Sequence, residues 1–314
     1  MALPVPARYR IRLLPSNLNA VELLNVLAFL VIDININPTL AEIGPFTLTW
    51  HGLFTAVGII AGVSLSVWLA SKDGFPAEYA QEVALVGVPC AIVGARLFFV
   101  FEHWDNFSGD LPSIVLDITE GGITLYGGLI GGALGGLVYG IWRGWPIAIG
   151  LDAAAPGMIL GQGIGRIGDL INGEHLSTSS NLPWAVRYTH PDTLGELGRA
   201  VHPTAGGYEL VGDMVILLLL LFVARRFIKI PGWTFCAYVI SYGVLRFWLS
   251  EFRFDEQTAW GIPLPQITSA IMVGVAVIGA GFLLGHSGTI TSEWRDRMTP
   301  GWRKQPEPAG AGGR

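Results

Sequence analysis

Seven stretches of this chain, residues 52–71, 83–101, 123–142, 151–171, 211–229, 233–251 and 267–285, are apolar and long enough to cross a bilayer, since a spanning helix needs about 20 mostly apolar residues. Lipid offers no hydrogen-bonding partner, so each stretch must satisfy its own backbone, and a helix does that. The expected fold is all-α: a polytopic integral membrane protein with seven transmembrane helices and an extracytoplasmic loop region between spans four and five. Composition agrees, with 51% hydrophobic and 14% charged residues among 314, and 42 glycines that suit close helix packing.

An eighth apolar stretch, residues 21–32, is too short to span and contains Glu22, so it reads as an interfacial helix. It follows Arg8, Arg10 and Arg12, yet Asn17, Asn19, Glu22 and Asn25 break up the apolar region after those arginines and no small-residue cleavage site follows, which argues against a signal peptide. Three regions result: an amino-terminal arm over 1–37, a transmembrane domain over 38–288, and a disordered tail over 289–314. Lys72, Arg143, Arg225, Arg226, Lys229 and the basic tail fall on one set of connections, which places that set in the cytoplasm. The amino terminus is then outside and the carboxyl terminus inside, although the three early arginines oppose this. With 24 acidic against 19 basic residues, nothing points to nucleic acid. Cys90 and Cys236 lie in apolar segments and read as core packing.

The fourth stretch ends in a polar run, Gly161-Gln-Gly-Ile-Gly-Arg-Ile-Gly-Asp-Leu-Ile-Asn-Gly-Glu174. Arg166 at that depth costs several kilocalories per mole unless it faces a cavity or a partner. Two readings stand. Arg166 pairs with Asp152 or Asp169, or it clamps a phosphate or carboxylate in a cavity that Gly163, Gly165 and Gly168 leave open and Asp169, Asn172 and Glu174 line.

Other stretches add to this. Residues 121–136 carry glycine pairs every four residues, which strips one helix face so that a neighbouring backbone or a lipid chain can lie against it. Tyr126 stands at the start of that face, with a phenol able to donate to an oxygen anion. Arg246 and Arg253 are seven apart, hence expected on one helical face, with Glu251 as a possible ion-pair partner. Arg96 is a further intramembrane cation. Arginines on separate helices without enough nearby acids point to an anionic ligand. His51 heads the first span, while His175 and His202 lie in or beside the outer loop. No histidine pair has metal-ligand spacing, so no metal is expected, and nothing calls for a cofactor.

Taken together, Trp50-His-Gly-Leu, Gly94-Ala-Arg, the glycine-rich run from Gly121, Gly165-Arg-Ile-Gly-Asp-Leu-Ile-Asn-Gly-Glu, His202-Pro-Thr with Tyr208-Glu209, and Arg246 to Arg253 resemble the prolipoprotein diacylglyceryl transferase family in order and spacing from about residue 38 to 285. The resemblance implies a bacterial cytoplasmic (inner) membrane enzyme that moves the diacylglyceryl group of phosphatidylglycerol onto the thiol of a prolipoprotein lipobox cysteine. Glycerol phosphate is released. The chemistry it implies needs positive charge for the departing phosphate, which suits Arg166 and Arg246, and a base for the thiol, for which His51 is the candidate, with Tyr126 as a hydrogen-bond donor and Asp169, Asn172, Glu174, Arg96, Glu251 and Arg253 around the substrate. The chain departs from the family's pattern in several places: Ser177 stands where a glycine is expected, and His202-Pro-Thr-Ala-Gly-Gly-Tyr-Glu replaces a tighter His-Pro-Thr-Gln-Leu-Tyr-Glu. His51 stands where the family has tyrosine, Tyr126 where it has histidine, and Asp169 where it has asparagine. A carboxylate at 169 is compatible with a bound phosphate if an arginine pairs it or a proton neutralises it. The competing expectation is a relative that binds or moves an anionic lipid without transferring it.

Overall fold

A computed structural model describes residues 31–286 apart from 45, 75–76, 110–111, 117–123, 256 and 259. The interfacial helix expected over 21–32 therefore falls almost wholly outside the described residues, and the tail over 289–314 entirely so. Among the described residues seven long helices are present, each overlapping one apolar stretch: α1 (Trp50–Lys72), α2 (Ala77–Glu102), α3 (Leu125–Trp142), α4 (Ile147–Asn172), α5 (Thr204–Phe227), α6 (Trp233–Leu249) and α7 (Leu264–Gly285). Among the described residues five of them, α1, α2 over Gln81–Glu102, α4, α5 and α7, are long and apolar enough to cross a membrane. The chain is a multi-pass membrane protein. In α3 the apolar run that can be counted is Ile130–Trp142, and α6 has only 17 residues.

Local chemistry sets the ends that matter. The Thr49 hydroxyl accepts from the Gly52 N–H at 3.1 Å, an N-cap that starts α1 next to His51. Helix α4 stops at Gly173, whose φ of 78° lies in the left-handed region. A side chain there would also run into Thr193 Oγ1 at 2.6 Å. Helix α5 opens with a π-helical turn, Thr204–Glu209, continues as a regular segment, Leu210–Leu219, and has a second π-helical turn, Leu220–Ala224, before its last residues, Arg225–Phe227. Such turns rotate the side chains that follow them and recur at functional sites.

Backbone meets backbone in two places. Along the α1–α4 seam Gly58 and Gly62 face Gly161 and Gly157, and a Cβ at either α1 position would sit 2.5 Å from the opposing carbonyl oxygen. An added methyl at Gly157 would strike both Ser66 and Gly62. Gly157→Ala is therefore expected to cost about 1–3 kcal/mol by overpacking, read as a lowered Tm in detergent. Gly150→Ala on the same helix meets nothing within 4 Å and serves as the neutral comparison. The α2–α3 seam is built the same way, with Gly127 and Gly131 against Gly94 and Cys90. The stripped face of α3 is thus occupied by α2. Of the two occupants the sequence left open, the neighbouring backbone takes it rather than a lipid chain. A further core of Ala155, Ile159, Ile216, Leu220 and Tyr238 joins α4, α5 and α6.

The chain is mostly helical, as the all-α expectation has it, and a few short strands lie outside the helices. β1 (Ile32–Ile34) pairs in parallel with β4 (Val186–Tyr188), which pairs antiparallel with β5 (Ala200–Val201), and β2 (Thr39–Ile43) forms a hairpin with β3 (Phe46–Thr49). Strands of two to five residues are too short to show a period of two, which is why the sequence hides them. Arg187 donates to both oxygens of Asp33 at 2.7 and 2.9 Å across the β1–β4 register, and its guanidinium holds that carboxyl below its ordinary range. Ile34, Val186, Tyr188 and Val201 make a small core against Leu170 of α4. The Tyr188 hydroxyl donates to the Leu170 carbonyl at 3.0 Å, and burial pushes that phenol up. The loop between α4 and α5 is thereby fastened to the end of α4.

Candidate active site

The polar run at the end of α4 is where the helices converge. Gly168 makes this possible: a Cβ there would lie 2.6 Å from the Cα of His51, so only glycine lets the start of α1 press against α4. His51 Nδ1 then comes 2.6 Å from Asp169 Oδ1 and 3.4 Å from Glu174 Oε2. The other oxygen of Asp169 accepts from Arg166 Nη1 at 2.6 Å. Of the two partners considered for Arg166, Asp169 is the one it meets. Asp152 instead accepts from the backbone N–H groups of Gly232 and Phe235, at the start of α6.

Arg166 also reaches across to α5. Its Nη2 donates to Glu209 Oε1 at 2.9 Å, while Arg253 Nη2 donates to Glu209 Oε2 at 2.6 Å and the Tyr242 hydroxyl donates to Oε1 at 3.0 Å. Glu209 is fully buried and ends the first π-helical turn of α5. A buried carboxylate survives when its charge is matched and its lone pairs are filled, and here two guanidinium groups and a phenol do both. Burial pushes the Arg253 guanidinium down, and Glu209 opposes that shift.

Arg246 is held by Asp255, through two bonds of 3.2 and 3.3 Å, and by the Ser250 hydroxyl. These pairings correct the expectation that the arginines lack nearby acids: Asp169, Glu209 and Asp255 answer Arg166, Arg253 and Arg246. Glu209 lies more than forty residues from both of its arginines, and Asp255 answers Arg246 from beyond the end of its helix, so linear inspection undercounts them. Not every donor is used, however. The Nε–H groups of Arg166 and Arg253 are buried without a hydrogen-bond partner among the described residues, and so is Asn172 Oδ1.

Other expected positions are arranged differently. Arg246 and Arg253 do not share a helical face, because α6 ends at Leu249 and a 3-10 turn, Ser250–Phe252, leads to an extended Arg253. Glu251 pairs with neither arginine but accepts from Gln266 Nε2 at 2.6 Å. Arg96 sits apart from the cluster. It donates to the carbonyls of Ser113 and Ile114 and lies over the rings of Phe99 and Phe107. Tyr126 is in the first turn of α3, and its side chain is outside the described residues. Asn172 donates to Glu174 Oε1 at 3.1 Å and is itself buried.

Four contributors are missing from the set expected from sequence: Glu209, Tyr242, Asp255 and His175. His175 Nε2 lies 3.3 Å from Arg166 Nη1 and 3.6 Å from Asp169 Oδ2, and its φ of 65° makes it the one non-glycine residue in the left-handed region among those described. Strain of that kind is tolerated where the surroundings over-determine the conformation. A cavity beside it is lined by Leu170, Glu174, His175, Ser177, His202 and Thr204. Ser177 and Thr204 share a hydrogen bond of 2.6 Å, and His202 meets the Tyr208 hydroxyl at 3.0 Å. Burial pushes the His202 imidazole down, which favours its neutral form.

The spacing of His51, Asp169 and Glu174, with ligand atoms within 4.8 Å of one another, invites comparison with a metal centre. The contact distances argue otherwise. An ion bonded at about 2.0–2.2 Å to nitrogen and oxygen keeps those ligands roughly 3 Å or more apart, whereas Nδ1 and Oδ1 are in direct hydrogen-bond contact at 2.6 Å. Arg166 already supplies the cation.

The fold and the cluster together define a multi-pass membrane protein that gathers guanidinium, carboxylate and imidazole groups where α1, α4, α5 and α6 converge. The chain belongs to the prolipoprotein diacylglyceryl transferase family, whose model matches residues 38–282. Relatives named phosphatidylglycerol–prolipoprotein diacylglyceryl transferase include one from Gloeobacter violaceus, 35% identical over 78% of this chain and 92% of that protein. Another, from Finegoldia magna, is 34% identical over 76% of this chain and 90% of its own length. A third, from Corynebacterium glutamicum, is 35% identical over 76% of this chain and 80% of its own.

Proposed function

We propose that this chain transfers the diacylglyceryl group of phosphatidylglycerol to the lipobox cysteine of prolipoproteins, the first step of lipoprotein maturation. The observation that carries the reading is membership of the family over residues 38–282, a span that includes Arg166 and its partners. The enzyme works in the bacterial cytoplasmic membrane with seven spans, its amino terminus outside and its carboxyl terminus in the cytoplasm. The loop after α4 then faces outward, where prolipoprotein cysteines arrive.

The reaction asks for two things. A thiol with an ordinary pKa of about 8.5 needs a base, and the phosphate leaving group needs positive charge in a site of low dielectric. His51 is the base. Arg166 and Arg246 stabilise the departing phosphate, with Arg253 behind them through Glu209. The unpartnered Nε–H groups of Arg166 and Arg253 are donors that a phosphate oxygen can use. Tyr126 adds a phenol, and Asn172 and Glu174 orient the head group. Arg96 and Glu251 shape the site from a distance, by holding the turn at Ser113–Ile114 and the junction of α6 with α7.

Incubating the purified protein with phosphatidylglycerol and a lipobox peptide tests this. The expected products are a thioether-linked lipid on the peptide and free glycerol phosphate in equal amounts. Binding of the lipid without either product would favour a carrier instead.

The exchange of tyrosine and histidine between positions 51 and 126 gives a second expectation. His51→Tyr and Tyr126→His, made singly, should each lower turnover, and the pair together should recover it if the two side chains act on one substrate. Independent, multiplying losses in the double variant would count against a shared role.

A further inference from the structure

We propose that Asp169 is not a substrate contact but the positioning residue for His51, fixing its imidazole so that Nε2 is free to take the thiol proton. The inference rests on the transferase reading above and assigns what the buried carboxylate does within it.

Geometry supports this in three ways. His51 Nδ1 faces two carboxylates, Asp169 Oδ1 at 2.6 Å and Glu174 Oε2 at 3.4 Å. An ionised carboxylate only accepts, so the ring proton belongs on Nδ1 and the lone pair on Nε2. Nε2 has no partner among the described residues. The ring is also 43% exposed while Asp169 is 2% exposed, so the carboxylate lies behind the imidazole, away from anything that approaches it.

Asp169 is in turn unable to rotate. Its Oδ2 is held by Arg166 at 2.6 Å, Arg166 is held by Glu209, and Glu209 by Arg253 and Tyr242. The chain of contacts crosses α1, α4, α5, α6 and the segment after it. Both oxygens of Asp169 are thus engaged by protein groups, and a carboxylate in direct contact with a lipid phosphate would be repelled by it. His175 is the other imidazole near this carboxylate, at a longer 3.6 Å from Oδ2 against 2.6 Å from Oδ1 for His51. A base held in one tautomer by a buried acid is the general logic of paired catalytic groups.

The step then balances. The cysteine S–H proton passes to His51 Nε2, the thiolate attacks the glyceryl carbon bonded to the phosphate ester oxygen, the C–S bond forms and the C–O bond breaks. The electron pair leaves on that oxygen as glycerol phosphate, and the imidazolium later releases its proton to solvent.

Two measurements test it. In the transfer assay, Asp169→Asn should lower kcat by about 10²–10⁴-fold, the range that a positioned general base contributes, with KM for phosphatidylglycerol changed less than about threefold. His51→Gln should lose a similar factor, and the double variant no more than the worse single one. In 15N spectra of histidine-labelled protein, assigned with His51→Gln and recorded where the ring is neutral, the wild-type proton should be on Nδ1, moving to Nε2 in Asp169→Asn. The proposal is overturned by a wild-type ring protonated on Nε2, by near-normal kcat in Asp169→Asn, or by multiplying losses in the double variant. Because the wild-type spectrum requires no substitution at 169, the result holds even if Asp169→Asn does not fold. An unmodified protein that yields no thioether product would instead remove the transferase reading.

Discussion

Arg166→Ala lowers transfer by at least about 10²–10³-fold, the loss typical of removing one preorganised donor to a developing negative charge, while the protein still fractionates with the membrane. The cause is electrostatic. Arg166 presents two nitrogens to carboxylates and keeps its buried Nε–H unpartnered among the described residues, so its removal takes away the donors that link Asp169 to Glu209 as well as a cation for the leaving phosphate. Arg166→Lys, which keeps the charge but not the planar fork, should recover only a fraction of the rate. Product formation measured against membrane content decides the matter, and near-normal turnover in the alanine variant would contradict the assigned role.

Glu209→Gln produces the largest loss of stability, about 3–5 kcal/mol, the usual result of removing one partner from a buried ion pair. Glu209 is fully buried and balances two guanidinium groups at 2.9 and 2.6 Å. Its amide replacement leaves both cations without that counter-charge, Arg253 in an almost fully buried position. Thermal unfolding in detergent, without lipid substrate, reads this directly. A change of less than about 1 kcal/mol would place the variant among ordinary surface substitutions and show that Glu209 is not the electrostatic centre of the cluster.

How much of this was legible in sequence depends on the range of the interaction. The helices were, because about 20 apolar residues in a row have few other uses. The end of α4 was as well, since Arg166, Asp169, Asn172 and Glu174 are polar residues closing an apolar run, each within one helical turn of the next. Glu209 was visible only as half of a Tyr-Glu pair. Its role depends on a π-helical turn and on partners from α4, α6 and the segment beyond, none of which a linear pattern encodes. Asp255 and His175 escaped for related reasons: one answers an arginine from beyond a helix end, and the other depends on an unusual backbone conformation. The short strands lacked the length that makes a period measurable.

The glycine seams also bear on traffic between bilayer and protein. Where α2 lies on α3, and α1 on α4, main chain touches main chain and leaves no slot wide enough for a hydrocarbon tail. Each seam is a closed weld. Neither seam is therefore a passage for an acyl chain, and the two halves of each pair move as one body.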